Sequence, residues 1–152
     1  MSVGAGERAP DFSVETTEGS RTLEGLLAAG ALVLVFYSED ATPTCTTQVA
    51  SFRDEHPTLA ELGAGVLAVS ADTLESHRRF VERLGGLPFA LAADPDLALA
   101  RAYGVVDEEG KRSRRAVFVI GADGTVLEAN PHYQPQVMDH FAAVFRALGM
   151  DL

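Results

Sequence analysis

Ala31-Leu32-Val33-Leu34-Val35-Phe36-Tyr37 is an unbroken apolar run rich in β-branched and aromatic side chains. A strand with one face in water alternates apolar with polar residues. A run without alternation therefore describes a strand buried on both faces. Val66-Leu67-Ala68-Val69-Ser70 is a second such run. A sheet covered on both sides needs helices on both sides, and the stretch between the two runs supplies one. Thr42-Pro43 reads as a helix N-cap followed by proline in the first turn, with the helix running to about His56, where Pro57 kinks or ends it. After the second run, Asp72-Thr73-Leu74-Glu75 opens a helix that presents Leu74, Phe80, Val81 and Leu84 and closes at Gly85-Gly86.

Leu87 to Ala92 predicts a short strand, and Asp94-Pro95-Asp96 caps a short helix reaching Tyr103. Ala116–Ile120 and Thr125–Glu128 flank Ala122-Asp123-Gly124, which is the signature of a hairpin between adjacent antiparallel strands. A last amphipathic helix is expected over about Gln136 to Leu148. Residues 1–22, with Pro10 and Gly19, predict an extended segment or hairpin packed on the body. The expectation is one α/β domain over residues 1–152, with a mixed sheet flanked by helices on both faces and an N-terminal extension.

The balance of 12 Lys+Arg against 22 Asp+Glu gives a formal charge of −10. That field repels phosphate backbones and anionic headgroups, so neither nucleic acid nor a membrane surface is an expected partner. The longest uncharged apolar stretch, Leu26 to Tyr37, is 12 residues, well short of the roughly 20 that span a bilayer. The N-terminus lacks an apolar signal region, and a lone cysteine excludes an intrachain disulfide. Both point to a reducing, cytoplasmic setting. The four histidines, His56, His77, His132 and His140, show no metal-ligand spacing and read as surface or helix-face residues; no metal is expected.

Cys45, the single cysteine, falls at the start of the first helix, just beyond the C-terminal end of the first buried strand. Sites in open α/β sheets form there. A free thiol has a pKa near 8.5, so only about 3% is the reactive thiolate at pH 7. Lowering the pKa to about 6 takes about 3.4 kcal/mol. A helix start supplies about 0.3–1 kcal/mol, rising to about 2 when partly buried. Hydrogen bonds to the charged sulfur, from backbone N–H groups and the Thr42 hydroxyl, add about 1.5–3 kcal/mol each. An arginine would complete the shift, and Lys111-Arg112-Ser113-Arg114-Arg115 offers two at the mouth of the 116–120 strand. Strand side chains alternate, so only one of Arg114 and Arg115 can face the site. The remainder of that basic run reads as a solvated loop.

Thr42-x-x-Cys45 after an apolar strand ending Phe36-Tyr37 resembles the active-site loop of the peroxiredoxins. Ala9-Pro10-Asp11-Phe12 resembles the family's N-terminal signature. Phe52-Arg53-Asp54, Val69-Ser70-Ala71-Asp72, Leu87-Pro88-Phe89, Asp94-Pro95 and Arg115 to Ile120 resemble its Q-type, or bacterioferritin comigratory protein, branch. The resemblance runs almost the full length and implies a thioredoxin-like fold. It implies Cys45 as the peroxidatic nucleophile that becomes a sulfenic acid, Thr42 as the residue that orients the peroxide, and Arg115 as the cation that stabilises thiolate and transition state. Tyr37, Ser38, Pro43, Thr44 and Gln48 are the expected surroundings of the substrate pocket. No cofactor is implied, and the branch is commonly monomeric or homodimeric.

The chain departs from that pattern at four positions. Ser38 stands where the family loop has a shielding proline, which predicts a wetter Cys45 with a less depressed pKa. Thr44 replaces a glycine and Gln48 a glutamate, the latter about one helical turn from Cys45 and on its face. Ala50 occupies the slot in which many branch members carry a resolving cysteine. The sulfenic acid then needs an external thiol, either a thioredoxin-class protein or a low-molecular-weight thiol. These departures also define the alternative, a non-enzymatic redox sensor or degenerate binding scaffold. Thiol–disulfide exchange on the same fold is disfavoured, because Thr42 fills the first cysteine slot of Cys-x-x-Cys.

Overall fold

A computed structural model of the protein describes residues 2–152. The chain forms strands β1 (Ser13–Thr16) and β2 (Gly19–Thr22), helix α1 (Leu23–Leu27), β3 (Ala31–Phe36), α2 (Pro43–Asp54), α3 (His56–Glu61), β4 (Ala64–Ser70), α4 (Leu74–Arg83), β5 (Ala90–Ala93), α5 (Ala98–Tyr103), β6 (Ala116–Ile120), β7 (Val126–Asn130) and α6 (Met138–Ala147). The strands make a single sheet in the order β2-β1-β5-β4-β3-β6-β7. β3, β4 and β5 run parallel, and the strands outside them pair antiparallel.

The unbroken apolar run does what its pattern requires. Leu32, Leu34 and Phe36 enter one core layer with Leu23 of α1 and Leu99, Ala100 and Tyr103 of α5. Val33, Val35 and Tyr37 enter the other, with α2, α3, α4 and α6. Each layer is closed by aromatic edges: Tyr103 meets Phe118 at 5.2 Å on the first face, and Phe52 meets Phe141 at 5.2 Å on the second. The expected β/α order and the helices on both faces are present.

The N-terminal segment takes the hairpin alternative and extends the sheet, since β1 pairs with β5 through Glu15↔Ala93 and Thr16↔Ala92. Two local details differ from expectation. Pro57 does not kink the first helix. α2 ends at Asp54, and Pro57 sits in the first turn of α3, where a missing N–H costs nothing. The strand expected over Leu87–Ala92 begins only at Ala90, beside Leu67 of β4. Among the described residues, no helix is long and apolar enough to cross a membrane.

Candidate active site

The loops that follow β3, β4 and β5 share the C-terminal edge of the parallel strands. The first of them, residues 37–42, leads into α2 and delivers Cys45. Thr42 is in an extended conformation at the N-cap and Pro43 occupies the first turn. Its hydroxyl makes no cap bond, however, and lies instead 3.3 Å from the Glu39 carbonyl.

Cys45 is fully buried, and Ser38 Oγ lies 3.2 Å from its sulfur. Burial pushes the thiol up. The Ser38 hydroxyl, the Thr42 hydroxyl and the backbone N–H groups of Glu39 and Ser38 outweigh it, and the net shift is downward. Ser38 is the largest of the lowering influences. The expectation of a wetter sulfur is overturned, since Cys45 stays buried and the position without proline supplies a hydrogen bond to it. Thr42 has one proton to share between the Glu39 carbonyl and the sulfur, and charge on the sulfur favours the second. All these donors are neutral.

Arg115 lies one residue before β6. The pairing Phe36↔Ala116 and Val35↔Val117 places Arg115 opposite Tyr37. Val117 and Val119 belong to the core layer of Cys45, so strand alternation assigns Arg115, and not Arg114, to that face. Ser38, Arg114, Arg115 and Tyr133 line a cavity of ≈ 360 Å³. Two residues on that lining, Arg115 and Tyr133, each bury a polar atom, Nε and the hydroxyl, with no protein partner. Such orphaned groups are rare and call for a ligand or water. Burial pushes the Tyr133 phenol up, which keeps it a donor.

The other expected pocket residues divide. Pro43 and Thr44 are exposed on the first turn of α2. Gln48 is buried and its amide donates to the Phe36 carbonyl at 3.0 Å, leaving Oε1 without a partner. A carboxylate in that position could not donate, so the amide suits this strand end. Tyr37 is fully buried, its hydroxyl donates to Asp40 at 2.6 Å, and it is not part of the cavity lining.

His77 was missed by sequence reasoning. It is not a surface residue but fully buried on α4, with Nδ1 2.8 Å from Asp40 Oδ2 and Nε2 2.9 Å from the Ala92 carbonyl. Asp40, Asp72 and His77 bring ligand-type atoms within 4.8 Å of one another. Both ring nitrogens are spent on protein acceptors, so the cluster is a hydrogen-bonded brace and not an open metal site. Between Asp40 and Thr42, Ala41 has φ 66°. This left-handed conformation costs a non-glycine residue about 1 kcal/mol or more.

The AhpC/TSA family profile matches residues 5–129. Peroxiredoxin Bcp of Bacillus subtilis is 32% identical over 154 residues, covering 97% of this chain and 96% of the relative. The crystal structure of peroxidoxin BcpB from Mycobacterium tuberculosis superposes with a TM-score of 0.86 at 28% identity, covering 96% of each chain. The bacterioferritin comigratory protein of Xanthomonas campestris, studied for its alkyl peroxide reduction activity, superposes at 0.77 with 32% identity over 90% of this chain and 89% of its own. The chain, with a single cysteine buried at the start of α2, belongs to the AhpC/TSA family, in its Bcp/peroxiredoxin Q branch, has the thioredoxin-like fold and is a thiol peroxidase.

Proposed function

We propose that Cys45 is the peroxidatic residue and that the enzyme turns over by a one-cysteine mechanism, reducing hydrogen peroxide and alkyl hydroperoxides. The thiolate attacks the distal oxygen of the hydroperoxide. The S–O bond forms as the O–O bond breaks, and the alkoxide or hydroxide leaves and takes up a proton as an alcohol or water. Cys45 is then a sulfenic acid. Thr42 and Ser38 hold the negative sulfur and the attacking oxygen in line. Arg115, which lines the cavity and buries an unpartnered Nε–H, balances charge as it passes between the two oxygens. A first external thiol displaces water from the sulfenic acid and forms a mixed disulfide. A second thiol releases the cysteine and leaves as the oxidised reductant. Ala50 offers no internal alternative.

The observation that carries this reading is the fully buried Cys45 sulfur, lowered in pKa by the loop donors and 3.2 Å from Ser38. Peroxide consumption with a dithiol reductant should vanish in Cys45→Ser. It should fall by about two orders of magnitude in Arg115→Ala, the scale of losing a preorganised donor to developing charge. Undiminished consumption by Cys45→Ser would contradict the assignment. The single domain over residues 1–152 and a monomeric or homodimeric state belong to the same reading.

A further inference from the structure

Behind the loop that carries Ser38 and Thr42 lies a buried polar cluster that the peroxide chemistry does not itself use. Asp40, at the centre of that loop, receives hydrogen bonds at both carboxylate oxygens. Tyr37, after β3, donates to Oδ1 at 2.6 Å, and Ser76 on α4 donates to Oδ2 at 2.7 Å. The backbone N–H of Asp40 donates to Asp72 Oδ2 at 2.9 Å, and Asp72 is itself bonded by Ser70 at the end of β4. His77 completes the cluster. Its Nε2 faces the Ala92 carbonyl of β5, which can only accept, so Nε2 carries a hydrogen. Its Nδ1 faces Asp40 at 2.8 and 3.1 Å. The carboxyl of Asp40 is held below its ordinary range, burial pushing it up and the bonds from His77 and Tyr37 prevailing. An ionised carboxylate also only accepts. Tyr37 lies 3.3 Å from the same nitrogen, but its proton is committed to Asp40. Each ring nitrogen therefore faces a group that can only accept.

We infer that His77 is a positioning residue for the peroxidatic loop: as an imidazolium bridging Asp40 to the β5 carbonyl, it fixes residues 38–42 in the conformation that turns the Ser38 and Thr42 hydroxyls onto Cys45. This rests on the assignment of Cys45 as the reacting sulfur. A second observation bears on it independently. Ala41 is held at φ 66° beside Asp40, a conformation that persists only when its surroundings enforce it. Its neighbour Asp40 is fixed by the side chains of Tyr37, Ser76 and His77. The groups that meet the ring nitrogens are Tyr37 and Asp40, both in the loop after β3, and Ala92 on β5, while Ser76 on its own helix bonds Asp40. Asp72, between β4 and α4, adds the other charge nearby.

The first test is the imidazole nitrogen NMR signals of the reduced wild-type protein at pH 7. Both His77 nitrogens should be protonated, and a neutral ring with one N–H would overturn the inference whatever the role of Cys45. The second test follows Cys45 in His77→Gln, Asp40→Asn and the double variant, using thiolate absorbance against pH and the rate of oxidation by hydrogen peroxide. Each single variant should raise the thiolate midpoint and slow oxidation about tenfold or more, the scale of small misplacements at a reacting centre. The double variant should lose little beyond either single one, because both break the same bridge. Ser76→Ala, at the rim of the cluster, should shift the midpoint in the same direction by less, and it answers the question should the interior variants fail to fold. Folded variants with midpoint and rate within twofold of wild type would contradict the inference. Retained peroxide consumption in Cys45→Ser would instead remove the assignment of the sulfur while leaving the charge of His77 where NMR finds it.

Discussion

Two helices start at the same edge of the sheet, each from a threonine in an extended conformation. Thr73, at φ −75° and ψ 163°, accepts a hydrogen bond from the Ser76 N–H and caps α4. Thr42, at φ −74° and ψ 151°, caps nothing with its side chain. The backbone conformations are nearly the same, so backbone geometry does not explain the difference. At α4 the hydroxyl serves the helix. At α2 it is left free for the Glu39 carbonyl and the Cys45 sulfur. An N-cap contributes about 1 kcal/mol, and α2 forgoes that from its threonine while keeping a donor for a charged sulfur. The loop that makes this possible is held from behind, by Asp40 and His77, and not from within its own helix.

That contrast is exposed to direct attack. The largest effect should come from Asp40→Asn, which strips the buried ring of its counter-charge and should cost about 3 kcal/mol or more in denaturant unfolding at neutral pH. The folded-state pKa of Asp40 is lowered. Its contribution is therefore complete above the unfolded value, about 3.9, and is lost as pH falls through the lower folded value. The gap between wild type and variant should narrow in acid, and a gap independent of pH would remove the carboxylate's charge from the account. Thr42→Val should slow oxidation of Cys45 by about one to two orders of magnitude, as expected for a lost bond to a charged group, with little change in unfolding free energy.

Ser38→Ala removes the largest of the influences that lower the thiol. The pH midpoint of Cys45 alkylation should move upward and the peroxide rate at pH 7 should fall about tenfold. An unmoved midpoint would restore the view that this position merely lost a proline. The smallest effect belongs to Thr73→Ala. It should lower unfolding free energy by about 1 kcal/mol and leave the oxidation rate within about twofold of wild type. If Thr73→Ala slowed the chemistry as much as Thr42→Val, the two helix starts would not differ in the way described.

The frame of the molecule was readable from the sequence because it rests on local regularities. An unbroken strand such as Ala31–Tyr37 announces two buried faces, and the antiparallel pairing of β6 with β7 follows from a short turn at Asp123-Gly124. Cys45 was readable because a helix start, a threonine and a lone thiol lie within a few residues of one another. The support behind the loop was not. His77 looks like an ordinary polar position on an amphipathic helix, and its burial follows from Asp40, Tyr37 and Ala92, which only the fold brings to it. Ser38 was read by what it lacked, a ring, since its hydroxyl meets a sulfur seven residues on only in the folded loop. Pro57 was misplaced for a simpler reason: a proline ends one helix and begins the next equally well.

The central claim is that an uncapped threonine at α2 serves the sulfur. The most direct test is the second-order rate of Cys45 oxidation by hydrogen peroxide from pH 5 to 9, measured side by side for wild type, Thr42→Val and Thr73→Val. The wild-type rate should lie orders of magnitude above that of a free thiol, with a midpoint below the ordinary thiol range, a collapse in Thr42→Val and near-wild-type behaviour in Thr73→Val. A wild-type rate like that of an ordinary thiol, or equal losses in the two variants, would contradict it.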